Sequence, residues 1–278
     1  MSETKKERLP RPLRFSVREF LMRTEGGRTN PLICGAVLPD GSKRRIVLKL
    51  RNPGTFKANQ GATSLAAELI TATLARVLGI PVPDFGIAEV DQDFVDAVAH
   101  APTQELLRRN LGRNFATTLL RGGIQPWLWS YQSGSGTLRQ ALDDVISLDA
   151  TIINHDRSKG NANLLWDGGE KVYVIDHSLS VLVYRWEAAM LQSSALFPNE
   201  DVRDHCTFDF LSGKGCAFEN VHQAWQARLS PQDWAAIRAE VPSEWESRSG
   251  DVDTMIQFLA NRARRFHDIS SSLRGVVT

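Results

Sequence analysis

Asn154-His155-Asp156-Arg157-Ser158-Lys159-Gly160-Asn161-Ala162-Asn163, with Val174-Ile175-Asp176-His177 just beyond it, decides how this chain reads. The first stretch carries an aspartate with an asparagine five positions later. The second ends an apolar run on another aspartate. Phosphoryl transfer needs such a set. One carboxylate orients and deprotonates an attacking hydroxyl, while an amide oxygen and a second carboxylate hold magnesium on nucleotide phosphates. Between the two stretches, Leu164-Leu165-Trp166, Asp167-Gly168-Gly169 and Val172-Tyr173-Val174-Ile175 read as a hairpin and its turn. Upstream, Thr137 is placed to cap a helix running to about Asn154, with Leu138, Leu142, Val145, Leu148 and Ile152 on one face. Asp156 and Asn161 therefore fall in a loop between a helix and a hairpin, and Asp176 ends the hairpin. Alone, the Asp-x-x-x-x-Asn spacing is a common polar loop, so the reading depends on the rest of the chain.

The N-terminal third supplies complementary groups. Leu13 to Met22, Leu32 to Leu38 and Arg45 to Leu50 read as strands of a small antiparallel sheet. They are separated by the turn signal Thr24 to Pro31 and the hairpin composition Pro39-Asp40-Gly41-Ser42. Gly26 and Gly27 lie in the first loop, where backbone N–H groups can approach phosphates. Lys49, near the end of the third strand, can reach the same phosphates. Each signal is weak alone, since most glycine pairs are turns and most strand lysines snorkel at an edge. Ala62 to Leu78 reads as a helix with Leu65, Leu69, Ala72 and Ala75 at helical spacing, closed by Gly79. Glu68 is the acidic residue inside it, placed either to fix Lys49 or simply to face solvent. Phe85 to Val90 reads as a further strand, and the acidic stretch Asp91 to Asp96 follows. There the chain is expected to cross to a second lobe, with backbone around Glu89 to Asp91 facing the adenine edge of a nucleotide.

The division that follows is a flexible basic tail (1–12), a nucleotide-covering lobe (13–95) and a second lobe with the catalytic loop, metal-binding hairpin and helices (96–278). In the second lobe, Thr103 to Leu111 reads as a helix, and Gly112-Arg113-Asn114-Phe115 and Arg121 to Pro126 read as loops. Trp127, Trp129 and Tyr131 read as core or lobe interface. Val202 to Leu211, His222 to Leu229, Pro231 to Glu240 and Asp251 to Leu273 read as scaffold helices, the third opened by Ser230 before a proline. His205, His222 and His267 share no metal-ligand spacing and read as surface or core residues. The fold class is α+β: a two-lobed arrangement with a small antiparallel sheet in the N-lobe and a mainly helical C-lobe.

The totals are compatible with that picture. The 278 residues suffice for one large domain or two lobes sharing a cleft. A formal net charge of +1 gives no global field toward nucleic acid or membrane. Lys5, Lys6, Arg8, Arg11 and Arg14 make a local basic excess, read as a solvated terminus. Three cysteines, Cys34, Cys206 and Cys216, match neither a metal motif nor a disulfide framework, which fits a reducing compartment. No signal-like segment follows Met1, and no apolar run is read as approaching the ~18 residues of a membrane span. The expectation is a cytoplasmic protein.

With these residues assembled, the chain resembles the HipA-like kinases, which are distantly similar in fold to phosphatidylinositol 3- and 4-kinases and to eukaryotic protein kinases. The resemblance is carried by Asp156 to Leu165 and Val174 to His177. It is supported by Gly61 through Glu68 and by Leu74-Ala75-Arg76-Val77-Leu78-Gly79-Ile80-Pro81-Val82-Pro83. It implies ATP and Mg2+ as cofactors. It also implies Asp156 as catalytic base, Asn161 and Asp176 as magnesium ligands, Lys49 on the α- and β-phosphates, Glu68 holding Lys49, and the loop Glu25 to Thr29 over the phosphates. Asn163 is close enough to contest or support Asn161. The implied acceptor is a hydroxyl, by resemblance Ser or Thr of a protein; a lipid is disfavoured because no basic surface is read beyond the tail. Two features depart from the family pattern. Ser158 stands two positions after the aspartate, where many relatives have histidine, and the covering loop lacks their serines. The alternative is a pseudokinase, a nucleotide-binding regulatory module without turnover.

Overall fold

The computed structural model describes residues 9–24, 30–54, 60–131, 133–181 and 196–278. Alternation builds the first sheet. β1 (Leu13–Arg23) buries Phe15 and Val17, β2 (Leu32–Val37) buries Leu32, Cys34 and Ala36, and β3 (Lys43–Lys49) buries Ile46 and Leu48. Every second side chain on a strand points the same way, so these residues meet on one side. They form an apolar cluster with Ala88 and Val90 of β4 (Phe85–Val90) and Ala116 of β5 (Gly112–Thr118).

The sheet differs from the small antiparallel one expected. It is a closed barrel in the order β1-β2-β3-β5-β4, and β1 runs parallel to β4 from Leu13↔Gly86 to Ser16↔Glu89. Closure pairs β1 with β4 over Leu13 to Ser16 and β3 with β5 over Ile46 to Lys49, so each strand has a neighbour on both sides along part of its length. The cause is β5. After β4 the chain makes α2 (Gln92–Ala97), capped by Asp91, and α3 (Ala101–Arg108), then returns to the barrel. The residues read as a loop at 112–115 all pair with β4, and Phe115 begins the pairing with β3. Asn114 is buried there, and its side chain accepts from Arg51 N–H and donates to the carbonyls of Asn110 and Gly112. The barrel therefore takes a strand from beyond residue 95.

α1 (Gln60–Leu78) is buried nearly all round, as a helix in the middle of a core must be. Its stretch Gly61–Leu78 is in fact long and apolar enough to cross a membrane, with mean hydropathy 1.2, contrary to the sequence expectation. However, 83% of it is buried inside the protein, as in the core helix of a folded domain. The larger apolar cluster joins α1 to Phe85, Ile87 and Phe115 on one side and to the C-terminal helices on the other.

A second sheet contains β6 (Gln125–Pro126), β7 (Leu164–Trp166) and β8 (Val172–Val174), the last two forming the expected hairpin. α4 (Gly136–Ile152) is capped by Ser135, two residues before the expected Thr137, and ends where Ile153 turns left-handed at φ 53°. The helix expected over 202–211 is split at His205 into α5 (Asn199–Asp204) and α6 (Phe208–Leu211). α7 (Asn220–Arg228) and α8 (Pro231–Glu240) follow, the latter with a full capping box between Ser230 and Asp233. The last expected helix is interrupted by a 3₁₀ turn at Ala263–Arg265, giving α9 (Asp251–Arg262) and α10 (Phe266–Val277). Trp127 is core, edge-on to Tyr131, Trp166 and Phe210, whereas Trp129 is exposed. All three cysteines are buried free thiols.

Candidate active site

Three elements converge on one lysine. Lys49 ends β3, and Glu68 faces it from α1; both are buried, and their side chains form an ion pair. Lys49 Nζ also lies 2.6 Å from Asp176 Oδ1, just past β8. The second Glu68 oxygen accepts the His177 backbone N–H at 2.9 Å. Asp176 has φ 54°, a left-handed turn that short polar residues tolerate better than branched ones. Ser178 Oγ donates to its Oδ1 at 2.8 Å and fixes the carboxylate.

Asp156 lies in the turn that follows α4. Its Oδ2 accepts from Asn161 Nδ2 at 3.1 Å and from Asn163 Nδ2 at 3.0 Å. The two asparagines that compete in the sequence thus hold the same carboxylate. Ser158 and Asn161 exchange backbone hydrogen bonds of 3.1 Å, which closes the loop between them.

Arg157 and Asp149 were not singled out by sequence reasoning, yet they tie the site together. Arg157 is 1% exposed and its Nε donates to Asp149 Oδ2 at 2.6 Å. Its Nη1 donates to the carbonyls of Asn163 and, at 3.2 Å, Ile175. One guanidinium therefore clamps the end of α4, the loop that carries Asp156 and the residue before Asp176. Asp149 also accepts from Asn154 Nδ2 at 2.8 Å and lies 3.0 Å from His205 Nε2. Thr207 N–H donates to His205 Nδ1, which leaves Nε2 to carry the proton toward Asp149. The available signal was a charged residue on the apolar run Leu148 to Ile152, a position that must be paired if buried.

Electrostatics separate the carboxylates. Burial would raise the Asp176 carboxyl, but Lys49 and the Ser178 hydroxyl hold it well below the usual carboxylate range. Burial works against the Lys49 ammonium too, and the flanking carboxylates more than offset it, so its pKa is raised. Glu68 goes the other way: burial raises it and the Asp176 charge adds, against the pull of Lys49. Asp156 is raised by burial and by repulsion from Asp176, which suits a group meant to take a proton. Asp149 is held down to about 2, because Arg157 and His205 outweigh its burial.

Beside Lys49 opens a cavity of about 170 Å3. Val47, Leu119, Leu120, Leu165 and Ile175 give it apolar walls, and Lys49, Glu68 and Asp176 its polar end. A larger cavity of about 490 Å3, between residues 9–12 and α8, shares none of these residues. Glu89 is not brought to the cleft: it is exposed on β4, paired in register with Ser16 and Arg113. Because β5 follows β4 in the barrel, the segment that lines the cavity is Thr117 to Leu120 instead. Gly26, Gly27 and the loop Glu25 to Thr29 lie outside the described residues.

The Asp176 carboxylate and the amide oxygens of Asn161 and Asn163 are hard donors, the kind magnesium takes together with phosphates and water. Among the described residues no group of three or more His, Cys, Asp or Glu could hold a metal unaided. The donor set fits a cation whose shell is completed by a bound nucleotide.

No curated protein sequence matches the chain. Among solved structures, the proinflammatory kinase CtkA of Helicobacter pylori is similar in fold, with a TM-score of 0.51 and 11% identity, over 96% of this chain and 100% of the other. A Golgi casein kinase solved with Mn/ADP aligns over 95% of this chain and 73% of its own, at 12% identity and a TM-score of 0.43. A MAP kinase of Leishmania major aligns over 94% and 82% at 13% identity and a TM-score of 0.33. The family model described as HipA-like kinase matches residues 17–268, nearly the whole chain. The chain belongs to the HipA-like kinase family.

Proposed function

We propose that this phosphotransferase uses ATP and Mg2+ to transfer the γ-phosphoryl group to a hydroxyl, Ser or Thr of a protein, across a cleft between two lobes. The observation that carries the reading is Lys49 held between Glu68 and Asp176, with Asp156 restrained by Asn161 and Asn163 on the neighbouring loop. Lys49 contacts the α- and β-phosphates, and Glu68 keeps its ammonium from swinging away. Asp176 and one or both asparagines hold the cation, which when bound neutralises charge on the phosphate oxygens. Asp156 orients the acceptor hydroxyl and takes its proton, helped by its raised pKa. The purine occupies the apolar slot between Val47 and Ile175, its edge toward Thr118 to Leu120.

Incubating the purified protein with γ-labelled ATP, magnesium and a cell lysate tests this reading. Labelled Ser or Thr in a protein is the expected result. ATP binding with no transfer to any acceptor identifies a pseudokinase instead, and a chain that binds no nucleotide sinks both readings.

A further inference from the structure

On β3, residues two apart share a face at a spacing of about 7 Å. Lys43 and Arg45 are therefore in line with Val47 and Lys49, which line the cleft. Beyond the cleft an open groove of about 400 Å3 is bordered by Arg18, Glu19, Lys43, Arg44, Arg45 and Arg121. Five cations face one carboxylate there. Arg18 is partly neutralised by Asp91 at 2.7 Å, but Lys43, Arg44, Arg45 and Arg121 form no ion pair with any described residue. Like charges crowded on neighbouring positions repel, and the nearby carboxylates, Glu19 in the groove and Asp40 close to Arg44, are too few to balance them. The sequence reading found a basic excess only in the N-terminal tail, because these cations come from three separate segments that the barrel gathers. The groove shares no lining residue with the cleft, yet it adjoins it: Leu119 lines the cleft and donates its N–H to the Arg45 carbonyl at 2.8 Å, and Arg121 is two residues on.

We propose that this groove docks an acidic segment of the protein that receives the phosphoryl group, an inference that rests on the reading of the chain as a protein-directed kinase. Arginine forks match carboxylates in paired hydrogen bonds. Nucleic acid fits less well, because no aromatic side chain lines the groove and bases would have nothing to stack on.

The test is fluorescence anisotropy with a labelled peptide of Glu and Asp around one Ser, its Gln-substituted counterpart, and oligothymidylate of equal charge. The acidic peptide is expected to bind, to weaken with salt, and to lose at least about tenfold in affinity in Arg44→Glu/Arg45→Glu. Lys43→Glu/Arg121→Glu should show the same loss, so that misfolding of one variant does not decide the matter. Both variants should keep the ATP-induced rise in melting temperature and, in turnover, raise KM for the acidic peptide without lowering kcat. Peptide binding unaffected by either variant, tighter binding of oligothymidylate, or loss of the ATP-induced shift overturns the proposal; the last would assign the groove to the nucleotide. Groove-dependent binding without any phosphoryl transfer leaves the groove standing and counts against the kinase reading. Transfer without groove-dependent binding does the reverse.

Discussion

Asp156 is restrained by two neutral amides rather than by a cation, and its pKa is raised, first by burial and then by Asp176. A base that stays available for a proton is built this way, since a direct ion pair would hold it too acidic. Asp156→Asn should therefore lower turnover by about a thousandfold or more while leaving ATP binding intact. Single-turnover transfer and an ATP melting-shift assay separate the two, and substantial residual turnover would remove Asp156 from the role of base. Asp176 contacts Lys49 and belongs to the proposed cation shell, so Asp176→Ala should abolish the magnesium dependence of ATP binding. Equal ATP affinity with magnesium and with a chelator is the expected readout; a retained magnesium effect would move the ligand elsewhere. These residues were legible in the sequence because each is polar where its neighbours are apolar: Lys49 after Ile46-Val47-Leu48, Glu68 in an alanine- and leucine-rich helix, Asp176 after Val174-Ile175. Asn161 against Asn163 was not separable by spacing, and both amides reach the same oxygen of Asp156.

Elements are held in place by groups that a linear pattern conceals. Arg157 joins α4, the loop that carries Asp156 and the end of the β7–β8 hairpin through Asp149 and two backbone carbonyls. Removing one member of a buried ion pair leaves the other charge unpaired, at about 3–5 kcal/mol. Arg157→Met should cost roughly that in unfolding free energy. Arg157→Lys keeps the charge but loses the fork, so it should recover part of the stability and little of kcat. Chemical denaturation paired with kinetics reads both; full activity in the lysine variant would reduce Arg157 to a structural cation. At the barrel seam, a Cβ on Gly86 would lie 2.0 Å from the Leu13 carbonyl oxygen. Gly86→Ala should force β1 from β4 and cost about 2 kcal/mol or more, measured by urea unfolding. β5 explains why the barrel was missed in the sequence. Gly112-Arg113-Asn114 has turn composition, and Asn114 is accommodated as a strand residue because Arg51 and Asn110, outside the ladder, and the Gly112 carbonyl of its own strand satisfy its amide. Misplacing that one strand also put Glu89 in the expected cleft, whose cavity is lined by Thr117 to Leu120.

Across the whole molecule, the larger apolar cluster is continuous from α1 through α4 to the C-terminal helices, and buried histidines lie within or beside it. His222 stacks flat on Phe266 at 4.1 Å and reaches Thr151 and Ser270. Burial, aided by Arg262, pushes its pKa down to about 4. His177 and His205 are lowered as well, burial again first. A depressed folded pKa means that protons bind the unfolded chain more readily. The stabilisation from neutral His222 is thus complete above its unfolded pKa of about 6.5 and disappears as pH falls toward 4, by roughly 3 kcal/mol in all. Asp144 opposes this trend, since burial raises it to about 6 and the folded state gains stability as it protonates below that. Asp149, held to about 2, keeps its contribution through the same window. The bulk pH profile therefore mixes opposite signs, and a variant is needed to isolate one histidine. His222→Gln should be less stable than the parent at neutral pH through lost stacking on Phe266, and the gap should close as pH falls toward 4. Thermal unfolding of both proteins across that range measures it, and a gap that stays constant with pH would show that His222 titrates alike in the folded and unfolded chains.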